Sequence, residues 1–129
     1  RSIVEAAKTI HDGINAIAFP EGTRSRTGEL GRFHSGAFSL AMRTAVPLVP
    51  ITLDGSYRVI VPKTLQVNPG VTIRIKIDRP IDLSSYAKGE KHRLMEDVFQ
   101  IMTRNLDELR CRRHPDEKRQ DAVFRWIHG

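Results

Sequence analysis

A layered α/β domain is predicted for this chain of 129 residues from three observations. Residues 71–77 alternate strictly between apolar and polar, residues 94–109 carry apolar side chains at helical spacing, and short apolar runs ahead of both are separated by Pro- and Gly-containing turns. Strand, loop, helix, strand, loop, strand, helix is the order of a mixed sheet flanked by helices.

At the start, Ser2-Ile3-Val4-Glu5 has the spacing of a capping box, Ile3, Ala6, Ala7 and Ile10 recur on one helical face, and Gly13 is the stop. Opening at Arg1 without a methionine and entering a helix at once, the chain reads as a fragment. Ile14 to Phe19 is an apolar strand that ends at Pro20, which cannot donate to a sheet ladder. From Gly36 to Thr44, Ala37, Phe38, Leu40 and Ala41 predict a short helix whose start faces the preceding loop. Leu48 to Leu53 reads as a buried strand that Pro47 and Pro50 restrict to an edge or an irregular entry. In the alternating stretch Val71, Ile73, Ile75 and Ile77 are assigned to the core, while Thr72, Arg74 and Lys76 face water or an anionic surface. Pro80 ends it, turn-prone Ser84, Ser85 and Gly89 follow, and Leu94, Val98, Ile101, Met102, Leu106 and Leu109 form the core face of a long helix. Two parts are expected: a main domain over 1–110 and a basic amphipathic segment over 111–129.

A net charge of +6 and a pI near 10 imply attraction to anions, whether acidic lipid surfaces, phosphate-bearing carriers or nucleic acid. Nucleic acid is disfavoured, because the aromatics are not spaced along a basic element as stacking platforms. Near the C-terminus Arg110, Arg112, Arg113, Lys118, Arg119 and Arg125 accompany Val123, Phe124, Trp126 and Ile127, which suits either a headgroup boundary or a helix docked on another part of the protein. The single cysteine, Cys111, cannot form an internal disulfide and reads as a spectator thiol in a reducing compartment. No metal-ligand spacing is present, and no apolar run approaches the ~20 residues that cross a bilayer.

Chemistry concentrates in Phe19-Pro20-Glu21-Gly22-Thr23-Arg24-Ser25. Gly22 permits a backbone angle closed to other residues, and Thr23, Arg24, Ser25, Arg26 and Thr27 supply hydroxyl and guanidinium donors. Arginine's planar fork holds two phosphate oxygens at once, so Arg24 is the principal anion contact. A carboxylate beside a phosphate would repel it, so Glu21 is assigned to orienting the loop. Composition alone fits a solvated basic turn equally well.

The order of those seven residues resembles the third sequence block of the glycerolipid acyltransferases. Phe33-His34-Ser35-Gly36-Ala37-Phe38 is similar to the family's Phe-Lys-x-Gly-Ala-Phe, and Val46-Pro47-Leu48-Val49-Pro50-Ile51 is similar to its fourth block, in family order. The resemblance covers about residues 10–60. It implies a partial glycerol-3-phosphate acyltransferase-like fold and a phosphate site over Glu21, Gly22, Thr23, Arg24 and Ser25. It also implies a substrate pocket bordered by His34, Gly36, Pro47, Leu48, Val49 and Pro50. The implied reaction moves a fatty acyl group from acyl-CoA or acyl-carrier protein, with no other cofactor, to the free hydroxyl of lysophosphatidic acid. Implied too is a place on the cytoplasmic face of a membrane, peripheral or anchored through an upstream segment. Another lysophospholipid or a lyso-aminolipid as acceptor, or a noncatalytic lipid-surface module, stays open.

Two departures stand inside the match. His34 replaces the family's lysine, turning a fixed charge into one that depends on pH. More important, the family's catalytic His, four residues, Asp does not precede Glu21, so the general base is expected upstream of Arg1. His92 and Asp97 have that spacing but lie on the wrong side of the motif, in the first turns of an amphipathic helix. A domain cut there is expected to leave sheet edges and apolar surface exposed, with poor solubility in isolation.

Overall fold

The computed structural model describes residues 3–61 and 63–128. Four helices, α1 (Ile3–His11), α2 (Ser35–Thr44), α3 (Lys91–Cys111) and α4 (Pro115–His128), accompany two strands, β1 (Ile51–Asp54) and β2 (Arg74–Ile77). The residues divide into two compact units. The first takes residues 1–23, 32–50 and 78–101; the second takes 24–31, 51–77 and 102–129. The α/β class predicted from the pattern is the one observed.

In the first unit α1 ends as expected at Gly13, whose φ of +87° is the left-handed angle that glycine adopts freely. The Ile14 amide reaches back to the Thr9 carbonyl at 3.2 Å and the Gly13 amide to Ile10 at 3.0 Å, closing a Schellman turn. Ser2, the expected cap, lies outside the described residues. The apolar side chains of this unit gather on helical faces. Phe33 stacks on Phe38 with centroids 5.9 Å apart and meets the Phe99 ring edge-on at 5.1 Å, while Ala7, Leu83, Leu94 and Val98 are buried. Leu48 exchanges both backbone hydrogen bonds with Ile81 in an isolated antiparallel bridge, and the Asp78 amide reaches the Pro50 carbonyl at 3.0 Å. This short ladder is the irregular entry that Pro47 and Pro50 impose.

The strand expected over residues 14–19 is not formed. Ile14, Ile17 and Phe19 are all more than half exposed, and among the described residues no chain runs beside them to complete a ladder. Apolar content makes a strand only where a neighbour accepts its hydrogen bonds.

In the second unit β1 and β2 pair antiparallel, with Thr52 opposite Lys76 and Asp54 opposite Arg74 on one face, and Ile51 opposite Ile77 and Leu53 opposite Ile75 on the other. Alternation is present as predicted, but the inward face is reversed. Thr52 and Asp54 are buried, whereas Ile75 and Ile77 are 57% and 68% exposed. The helical residues of this unit supply the reason: Asn105 donates to the Thr52 hydroxyl, Arg113 holds Asp54 through two hydrogen bonds, Arg74 forks onto Glu117, and Lys76 pairs with Glu108. A polar sheet face turned to charge-matched helices satisfies its partners, and the apolar face is left outside.

The long helix follows its predicted pattern. Leu94, Val98, Leu106 and Leu109 are buried and Ile101 and Met102 half-buried, with buried Asn105 as the polar addition. The boundary expected at residue 110 falls in the last turn of α3, and residues 111–129 belong with the strand pair. Arg113 and Glu117 are committed to Asp54 and Arg74 within that unit. Pro115 at the first position of α4, followed by Asp116 and Glu117, gives that helix the start that proline geometry and the helix dipole favour.

Candidate functional site

The chain turns sharply directly after Phe19. Gly22 donates to the Phe19 carbonyl at 3.1 Å with φ of +66°, and the His34 amide donates to the Pro20 carbonyl at 2.7 Å. These two bonds tie the turn to the residue that opens α2. A Cβ at Gly22 would sit 3.2 Å from the His34 ring carbon Cδ2, so the glycine serves both the backbone angle and the close approach of the imidazole. His34 is the N-cap of α2 with extended backbone angles, and its side chain makes no capping hydrogen bond. The positive end of α2 therefore opens beside the turn with its imidazole cap exposed. Gly36, in the first turn, is exposed, and a Cβ there would meet nothing within 4 Å.

Within the same unit Glu21 is half-buried and Thr23 exposed. Pro47 and Val49 are exposed, Leu48 is half-buried in its bridge to Ile81, and Pro50 is buried. The first unit thus brings Pro20, Gly22, His34 and the start of α2 together.

The motif crosses into the second unit between Thr23 and Arg24. Arg24 is exposed, and among the described residues no ion pair or hydrogen bond engages its guanidinium. Ser25 braces the turn that follows: its hydroxyl donates to the Glu29 carbonyl and accepts from the Gly28 amide, both at 2.9 Å. That hydroxyl shapes the loop.

Sequence reasoning missed what clamps this half of the loop. Arg110 donates to the Glu29 carboxylate at 3.0 Å and to the Gly28 carbonyl at 2.7 Å, and Arg125 reaches Glu29 at 3.0 Å. Partial burial pushes the Glu29 carboxyl up, but the hydrogen bond and charge of Arg110, with Arg125, outweigh it and hold the group below its ordinary value. Gly28 has φ of +82°, and a Cβ there would come within 2.4 Å of the Tyr57 ring. That ring in turn meets Phe124 edge-on. The glycine gave a local signal; Arg110 and Arg125 stand more than 80 residues away in sequence and gave none.

His92 and Asp97, the spaced pair on α3, do not act together. Asp97 accepts from the Tyr86 hydroxyl at 2.7 Å, and that bond, with burial, raises the Tyr86 pKa. His92 instead lines a cleft of about 410 Å³ with Ser39, Met42, Lys88, Gly89 and Lys91, apart from the motif residues. Among the described residues no group of His, Cys, Asp and Glu could hold a metal ion.

Comparison with known proteins bears on the same loop. Residues 1–54 match a family model described as acyltransferase. The crystal structure of a 1-acyl-sn-glycerophosphate acyltransferase from Thermotoga maritima superposes over 88% of this chain with a TM-score of 0.79 and 31% identity. The chain belongs to the glycerolipid acyltransferase family. A 1-acyl-sn-glycerol-3-phosphate acyltransferase of Cocos nucifera is 32% identical over 108 residues, covering 83% of this chain and 35% of its own length. A chloroplastic one from Brassica napus is 40% identical over 72 residues, covering 56% of this chain and 21% of its own. Of the Thermotoga acyltransferase this chain spans 46%. The chain therefore spans less than half the length of these glycerolipid acyltransferases.

Proposed function

We propose that this chain is the acceptor-binding portion of an enzyme that transfers a fatty acyl group to the free hydroxyl of 1-acylglycerol-3-phosphate, giving phosphatidic acid. The observation that carries this proposal is the turn at Pro20–Gly22 tied to the uncapped start of α2, inside a seven-residue stretch characteristic of the family. Backbone amides at a helix start and a bidentate arginine are two devices proteins use for phosphate monoesters. Arg24 takes the phosphate, Gly22 lets the backbone approach, Thr23 and Ser25 shape the loop, and Glu21 orients it. Pro47, Leu48, Val49 and Pro50 border the acyl-bearing part of the acceptor.

In the reaction the acceptor hydroxyl loses its proton to a general base and attacks the thioester carbonyl; the C–O bond forms, the C–S bond breaks and the thiol leaves protonated. We assign that base to another part of the protein, because Asp97 accepts from the Tyr86 hydroxyl and His92 lines a cleft apart from the motif residues. Acyl-CoA or acyl-carrier protein is the donor, no further cofactor is required, and the work is done at the cytoplasmic face of a membrane.

In the complete enzyme, Arg24→Ala should raise the acceptor KM by about ten- to a hundred-fold, the worth of a charge-assisted bidentate contact, with kcat little changed. Arg24→Lys should recover only part of it, because the fork is lost. Steady-state kinetics with an unchanged acceptor KM in Arg24→Ala would refute the assignment.

A further inference from the structure

The whole net charge of the chain resides in one unit. Residues 24–31, 51–77 and 102–129 hold thirteen Lys and Arg against seven Asp and Glu, leaving +6, whereas the first unit balances eight against eight. Within the charged unit, Gly55 to Ile77 contains no carboxylate at all. Of the cations in that stretch Arg58 is buried, Arg74 and Lys76 are paired with Glu117 and Glu108, and Lys63 is exposed at a turn with φ of +63°.

Lys63 sits in a small hairpin. Ile60 bridges Val67 antiparallel, Val61 donates to the Gln66 carbonyl at 3.1 Å, and Asn68 donates to Val59 at 2.8 Å. The Thr64 hydroxyl closes the tip, donating to the Val61 carbonyl at 3.0 Å and accepting from the Gln66 amide at 3.2 Å. The amides of Val61, Thr64 and Gln66 at the tip are thus satisfied from within, which lowers their cost of leaving water. Its apolar side chains are turned outward all the same: Leu65 is 100% exposed, Val67 67% and Ile60 42%.

We propose that this hairpin, Ile60 to Val67, is a membrane-docking element that sets Leu65 and Val67 into the headgroup and acyl boundary of an anionic bilayer, with Lys63 on the phosphates. Outward aliphatic side chains with a flanking lysine, in the unit that carries the chain's net charge of +6, are complementary to such a surface. The proposal rests on the enzyme's taking a lysophospholipid from a membrane, and it says which surface meets that membrane.

The test uses the full chain in a Cys111→Ser background with Leu65→Cys carrying an environment-sensitive fluorophore. The vesicles are phosphatidylcholine, alone or with about one-third phosphatidylglycerol. A blue shift and quenching by nitroxides on the lipid chains, stronger with the anionic vesicles, is expected. In cosedimentation, Leu65→Asp and separately Val67→Glu should each lower partitioning about tenfold or more, with unchanged circular dichroism because neither side chain is buried. If the protein sediments with vesicles but the probe at 65 does not respond, the hairpin assignment falls while membrane association stands. A blue shift of the lone tryptophan, Trp126, with residue 65 silent would move the contact to α4. A probe already shielded without vesicles would indicate a protein partner and overturn the proposal. If no vesicle binds while Arg24→Ala still raises the acceptor KM, the docking surface fails and the acceptor assignment survives.

Discussion

The two units differ in what they bury beside their apolar side chains. In the first, whose formal charges cancel, Phe33, Phe38, Leu94 and Val98 are buried as helical periodicity predicts, and the aromatic rings stack on one another. The second buries Leu106, Leu109 and Phe124 as well, but beside them Asp54, Arg58, Arg113 and Asp121, with Arg113 hydrogen-bonded to both acids. Burial raises the Asp121 carboxyl against the pull of Arg125. Apolar patterning therefore locates the interior of the first unit. In the second it finds Leu106 and Leu109 but misplaces the sheet, where ion pairs decide which face turns inward.

The largest effect should come from Asp54→Ala, which removes one of the two acids that hold the buried Arg113 guanidinium and is expected to cost about 3–5 kcal/mol. Phe38→Ala removes a buried ring from the first unit at a similar cost of about 3–5 kcal/mol. Urea denaturation curves of both variants, recorded with and without high salt, should separate the two mechanisms. Equal salt responses would erase the contrast.

A smaller effect should accompany Glu117→Gln, less than about 1 kcal/mol at neutral pH, because the pair with Arg74 is partly open to solvent. The Arg74 hydrogen bond, more than the opposing burial, holds the Glu117 carboxyl below its ordinary value. Its contribution is therefore complete above that value and disappears as pH falls through the lower folded value. Thermal unfolding between neutral and acid pH should show the wild type losing stability in that acid range more steeply than Glu117→Gln. Parallel curves would remove this pair from the account.

Smallest of all is Ile75→Thr. Read as a core strand residue it should destabilise; on its exposed face it should stay within about 0.5 kcal/mol, checked by the unfolding midpoint. A loss well above that would restore the sequence-based orientation of the strand.

Much of the fold was legible because its signals are local. The Gly13 stop, the α2 run ending at Thr44, and the core stripe of α3 all depend on residues within a few turns of one another. The first half of the loop was legible for the same reason, since Pro20 and Gly22 dictate a turn from their own backbone preferences. What stayed hidden depends on partners distant in sequence. The Ile14–Phe19 segment has strand composition without a pairing neighbour among the described residues, Ile75 faces outward because Glu108 and Glu117 claim the other face, and Glu29 is clamped by Arg110 and Arg125. No short window of sequence contains either member of such a pair with its mate.

The hydrogen bond from the Asn68 amide to the Val59 carbonyl closes the base of the hairpin before the chain reaches Leu65. An excursion closed at its base is a detachable accessory: lengthening it costs little in chain entropy and leaves the sheet register alone. Descent with modification could thus refit residues 60–67 to membranes of different charge or thickness, by insertion as readily as by substitution, without reopening the turn at Pro20–Gly22.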